Sequence, residues 1–284
     1  MEKIAVVTDT GSNLSFAQAK ELGIYLLPLQ ITIDETTYQD TLEISTQDIY
    51  NELANGKMPK TSMAAYQKIY DLFEELKKDY DTIFAVPLTN GLSTNASTMQ
   101  SIARELEMNV HVIDMYATCA LEKHVAIWIK KLVDEHKSSE EILKIIQPAI
   151  DESNSLILVK NLQHLKRGGR LTPMAAALAG LLKIYPVLHI NKSTKGRIDV
   201  LNKVRTEKRA DAYAIDKVID DIDIEHTVIY IIHSNFLEGA DHFKKCFIEK
   251  GVPEQNIHID YISSVIAVHT GLGCIAIQYI REEN

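Results

Sequence analysis

The chain has 284 residues, more than one ordinary domain needs, and its 46% hydrophobic content is enough for two ordinary cores. A formal net charge of −9 at pH 7 argues against a general nucleic-acid binder, which needs a basic face to neutralise phosphates, so any anion site must be local. Cys119, Cys246 and Cys274 stand far apart with no metal-ligand spacing, which disfavours a disulfide framework or a structural zinc site and points to a reducing cytoplasm. The N-terminal residues run straight into a strand pattern without a signal-peptide signature, and no apolar run reaches membrane-spanning length.

In chain order, Ile4 to Thr8, Thr82 to Pro87 and Val110 to Asp114 are short β-branched or apolar runs, each followed by a polar turn and then a helical pattern. That rhythm predicts a parallel α/β sheet, with Tyr66 to Lys78 and Leu121 to His136 as amphipathic crossover helices. A second block opens near Leu156, where Ile157-Leu158-Val159 reads as a strand. A basic turn follows, then a helix expected over Pro173 to Leu182. Val187 to Asn191 and Arg197 to Lys203 pair as antiparallel strands around Lys195-Gly196, Ala210 to Asp221 is a helix and Thr227 to Ile232 a strand. Gly239 to Lys250 is a helix closed by Gly251, and Ile257 to Ile262 a further strand. The expected fold class is therefore α/β in two domains: 1–155 with a parallel sheet, and 156–284 with a mixed sheet.

Hydroxyls and glycines gather where the first block's strands end: Thr8 to Ser12, Thr61-Ser62, and Thr89 to Thr94. In open α/β sheets small ligands bind there, where helix N-termini present free N–H groups; each hydroxyl taken singly is equally a helix cap. In the second block, Lys166, Arg167 and Arg170 surround Gly168-Gly169 and lead into the apolar run Pro173 to Ile190. One segment thus offers cationic donors beside a greasy surface, a combination suited to an amphiphilic ligand, or else a basic surface turn before a core helix.

Six motifs in order resemble the DegV family, which includes the fatty-acid-binding (FakB) subunits of bacterial fatty-acid kinases. They are Thr8-Asp9-Thr10, Thr61-Ser62, Gly91-Leu92-Ser93-Thr94, Val112-Ile113-Asp114, Leu165-Lys166-Arg167-Gly168-Gly169-Arg170 and His269-Thr270-Gly271-Leu272-Gly273. Thr94-Asn95 stands where glycine and threonine are common in the family. The resemblance implies a three-layer α/β/α domain followed by a mixed-sheet α/β domain, with a fatty-acid carboxylate held between them and its acyl chain in an apolar tunnel. Carried over by position, Thr61, Ser62, Ser93 and His269 would bind the carboxylate, and Arg170 and Arg205 would supply positive charge.

The acyl chain is expected against Ala175, Leu178, Ala179, Leu181, Leu182 and Ile184, or else these small residues serve close helix packing. A hexadecanoyl tail has about 14 methylenes at ~0.8 kcal/mol each, so the tail sets affinity and the head group sets orientation. No Walker motif or paired-carboxylate metal signature is present, so the expectation is a cofactor-free, non-catalytic subunit whose kinase partner brings ATP. That partner would form an acyl phosphate for phospholipid synthesis. Lys166, Arg167 and Arg170 would dock the kinase or touch an anionic membrane transiently, or else remain solvated charge. The alternatives are a serine-dependent lipid esterase built on Ser93, His269 and Asp9 or Asp114, and a lipid sensor without a kinase.

Overall fold

A computed structural model describes residues 2–181 and 183–282. The first half of the chain builds β1 (Ile4–Asp9), α1 (Phe16–Leu22), β2 (Tyr25–Leu27), β3 (Gln30–Ile33), β4 (Thr36–Gln39), α2 (Thr46–Ala54), β5 (Lys60–Ser62), α3 (Tyr66–Leu76), β6 (Thr82–Val86), α4 (Asn95–Glu105), β7 (Asn109–Val112), α5 (Ala120–Asp134) and α6 (Ser139–Glu152). The second half adds β8 (Asn154–Leu158), α7 (Leu162–Arg167), α8 (Pro173–Leu178), β9 (Tyr185–Ile190), β10 (Asp199–Val204), α9 (Glu207–Asp221), β11 (Thr227–His233), α10 (Leu237–Glu249), β12 (Ile257–Tyr261), α11 (Ser264–Thr270) and β13 (Ile275–Arg281).

The parallel sheet has the order β2-β1-β6-β7. Its inner strands β1 and β6 are buried along their whole length, which is why they read as continuous β-branched runs. Ile69, Phe73 and Leu76 of α3 and Met99 and Ile102 of α4 cover one face, while Leu121, Val125 and Ile129 of α5 and Ile142 and Ile146 of α6 cover the other. The result is the three-layer arrangement expected. The chain leaves β1 towards β2 but leaves β6 towards β7, so the carboxyl ends of β1 and β6 form a topological switch point, where such sheets open a crevice.

The second sheet runs β10-β9-β8-β13-β11-β12; β11 and β12 are parallel and the other pairs antiparallel. Helices α9 and α10 supply Ala214, Val218, Phe243 and Phe247 to one face, and the other face holds Leu165, Leu171, Ala175 and Ala267. A small antiparallel sheet has the order β4-β3-β5 and carries Thr61 and Ser62. Thr61-Ser62 lies on β5, paired with Gln30 and Ile31 of β3, and precedes α3, which begins at Tyr66.

The helix expected over Pro173 to Leu182 is shorter. Thr172 caps it through a bond to Ala175 N and Pro173 opens it, but Ala179 is already extended and Gly180 has φ 103°, so the alanine-rich run turns away after Leu178.

Candidate functional site

The loops at the switch point face α11 and the turn after α7, and between them lies a cavity of about 450 Å³, inside the range of about 300–1,000 Å³ that ligand pockets occupy. Thr61, Ser62 and Met63 enter it from β5 and the residue beyond, and Leu88 and Asn90 to Thr94 from the loop after β6. Gly169 and Arg170 come from the turn after α7, Arg197 and Ile198 from the β9–β10 hairpin, and Val265, Ile266, His269 and Thr270 from α11. Five of the six residues expected at the head group, Thr61, Ser62, Ser93, Arg170 and His269, therefore line one cavity.

Local geometry fixes each of them. Thr61 Oγ1 lies 2.7 Å from His269 Nε2, 208 residues away in sequence, the direction of the bond following the imidazole tautomer. Ser62 Oγ donates to Gln30 Oε1 at 3.0 Å, and Ser93 Oγ accepts from Asn95 N at 3.2 Å, tying it to the start of α4. Arg170 is held by Nη1 on Gly168 O at 2.5 Å and Nε on Leu92 O at 3.5 Å, which spans the two halves of the chain. Parallel pairing of Leu171 with Ile198 aligns that turn with the hairpin.

Burial first, then the Arg170 guanidinium and His164, push His269 down to about 3. Its imidazole is neutral at physiological pH, so the positive charge belongs to Arg170, which stays protonated. Two hydrogen-bonding side chains and two close glycine contacts set the imidazole. Ser264 Oγ donates to the buried Asp40 at the head of α11, and His164 Nε2 meets Val268 O at 2.8 Å near its end. A β-carbon on Gly168 would stand 2.7 Å from His269 Nδ1, and one on Gly271 would stand 3.2 Å from the His164 ring.

The remaining expected residues lie elsewhere. Arg205 is exposed past the end of β10 opposite Ile198, so the second cation at the cavity is Arg197, which sequence reading did not single out. The apolar wall is Leu29, Met63, Leu88, Leu92, Ile198, Val265 and Ile266. Of the residues expected along the acyl chain, Ala175 and Leu178 are buried, Ala179 and Ile184 half-buried and Leu181 52% exposed. None of these five borders the cavity, and Leu182 falls outside the described residues. Lys166 and Arg167 are exposed on α7.

The esterase arrangement is not assembled. His269 bonds Thr61, Ser93 bonds the backbone of Asn95, Asp9 bonds Gly11, Leu88 and Asn95, and Asp114 bonds Asn90 and Tyr116. Among the described residues no cluster of His, Cys, Asp or Glu has the arrangement of a metal site, and no helix is long and apolar enough to cross a membrane.

Hydroxyls, a guanidinium and apolar side chains thus line one cavity at the switch point of an α/β sheet beside a mixed sheet, a lining whose chemistry suits a small amphiphilic anion. Residues 3–282 match the model of the DegV family, described as a family of uncharacterised proteins, and the chain belongs to that family. It is 31% identical to a DegV domain-containing protein of Halalkalibacterium halodurans over the whole of both chains. Its fold is similar to that of a fatty-acid-binding DegV family protein from Streptococcus agalactiae, with 29% identity, all of both chains covered and a TM-score of 0.91. It is likewise similar to DegV, a fatty-acid-binding protein from Bacillus subtilis, with 26% identity, 99% and 100% coverage and a TM-score of 0.86.

Proposed function

We propose that the protein binds a long-chain fatty acid with its carboxylate among Thr61, Ser62, Ser93, His269 and Arg170 and its acyl chain along the apolar wall. It then presents that carboxylate to a separate ATP-dependent fatty-acid kinase subunit, and the acyl phosphate feeds phospholipid synthesis. The observation that carries the reading is the Thr61–His269 contact beside Arg170 in a cavity with apolar walls. A buried carboxylate without partners costs several kcal/mol, so convergent hydroxyls with one cation supply what that head group needs. The fatty-acid-binding relatives at 29% and 26% identity support the same choice of ligand.

Charge distribution supports the delivery step. Between positions 160 and 209 there are twelve Lys and Arg against two acidic residues, in a chain of net charge −9. Lys166 and Arg167 are exposed in this segment, and so are Met174 and Leu181, at 54% and 52%. A cationic segment with exposed apolar side chains fits an acidic kinase face or transient contact with an anionic membrane. The chain divides near 155 on this reading, the first part supplying the hydroxyls and the second the cation and imidazole.

Thr61→Val and Ser93→Ala should each weaken binding of a long-chain fatty acid by about 5- to 30-fold, the loss of one hydrogen bond to a charged group, at roughly 1–2 kcal/mol. Fluorescence displacement of a labelled fatty acid measures it. Unchanged affinity in both variants would remove the head-group site.

A further inference from the structure

A buried acid pair lies beneath the loop that carries Ser93. Asp9, at the end of β1, is fully buried and accepts from Gly11 N at 2.8 Å, Leu88 N at 2.9 Å and Asn95 Nδ2 at 2.6 Å. One carboxylate thus ties down both ends of the 88–95 loop, whose middle forms the cavity wall.

Glu122, from the first turn of α5, is also fully buried and reaches the same point, for a β-carbon on Gly11 would stand 2.7 Å from Asp9 Oδ1 and 3.0 Å from Glu122 Oε2. Glu122 Oε1 lies 3.2 Å from Thr8 Oγ1, but that hydroxyl's one proton is engaged by Val86 O at 2.7 Å. Glu122 Oε2 finds no group that donates to it. The titratable neighbours are acidic as well: Asp9 and the Cys119 thiol face Glu122, and Asp40 faces Asp9 from the end of β4. Surrounded by acceptors, Glu122 satisfies its own oxygen and Asp9's charge only by carrying a proton.

We propose that Asp9 and Glu122 share one proton, Asp9 as the anion and Glu122 as the donor, and that the pair is a positioning device for the 88–95 loop of the ligand site. The positioning of a ligand site rests on the fatty-acid reading above; the shared proton does not. Burial, then the negative charge of Asp9, pushes the Glu122 carboxyl well above the usual range, and burial pushes Asp9 up too, against three donors that favour its charge. A carboxyl raised in the fold contributes stability that is complete below the ordinary glutamate value and is lost as pH rises through the raised one.

Infrared spectroscopy of the unliganded protein at pH 8, above the value of about 6 to which burial raises Asp40, should show a protonated-carboxyl band that Glu122→Gln removes. The glutamine amide still donates to Asp9, so this variant should hold fatty-acid affinity within about threefold, whereas Glu122→Leu should lose about tenfold or more. Asn95→Ala cuts only the Asp9 contact to the far end of the loop and should lose about fivefold, which tests positioning even where Glu122→Leu does not fold. A wild-type spectrum without the band, or a band that survives in Glu122→Gln, overturns the shared proton. Wild-type affinity in Asn95→Ala overturns the positioning role. Failure of the wild-type protein to bind fatty acid defeats the functional reading instead and leaves the infrared result to decide the proton.

Discussion

Arg170→Gln should lower affinity for a long-chain fatty acid by roughly 30- to 1,000-fold, about 2–4 kcal/mol, the largest loss expected from any single polar contact in the site. Because His269 is neutral at physiological pH, Arg170 is the cation inside the cavity, while Arg197 is exposed at its rim and screened by water. Arg170 is only half-buried, which places the loss nearer the lower bound. Arg170→Lys keeps the charge without the planar fork that reaches Gly168 O and Leu92 O together, so it should recover only part of the affinity. Removing the guanidinium also removes one of the influences that depress His269, and its imidazole should titrate at a higher pH by NMR. Equal affinities for wild type and Arg170→Gln, by calorimetry, would take the carboxylate out of this cavity.

Gly91→Ala should lower unfolding stability by about 2–4 kcal/mol and fatty-acid affinity at least about tenfold, because the added carbon meets backbone that has nowhere to go. It would stand 2.0 Å from Gly196 O and 2.1 Å from Gly196 C, and a β-carbon on Gly196 would in turn stand 2.0 Å from Thr89 Oγ1. The loop after β6 and the β9–β10 hairpin thus meet closely through two glycines, and both segments line the cavity. Gly56→Ala is the control: φ is +81° there, but nothing lies within 4 Å of the new carbon. It should cost about 1–2 kcal/mol of backbone strain and leave affinity alone. Urea unfolding read beside a binding isotherm separates the two cases.

The parallel sheet was legible because β1 and β6 are buried on both sides and so appear as unbroken β-branched runs between turns. Strand β5 was not. Lys60, Thr61 and Ser62 have neither an apolar member nor an alternation, and only pairing with β3 makes them a strand. Nor was β13 legible, the strand on which β8 and β11 both pair: it is buried from Ile275 to Ile280 and so shows no apolar–polar alternation, and Gln278 interrupts its apolar run.

The site was legible residue by residue only where a motif carried it. Composition marks both Arg197 and Arg205 as basic residues near a hairpin. Which one meets the cavity depends on the path of β10, whose register shifts between Val200 and Asn202. The contact between Thr61 and His269 joins positions with no local signal, and nothing in periodicity anticipates it. The bond from Asn95 to the buried Asp9 likewise joins positions with no local signal.

Lipid extracted under denaturing conditions from the purified protein, analysed by mass spectrometry beside a mock purification, tests fatty-acid binding most directly. The expected result is long-chain fatty acid in stoichiometric amount from wild type, and far less from Arg170→Gln purified in parallel. A wild-type protein that is reproducibly empty, and that fails to take up added fatty acid, would contradict the proposed function.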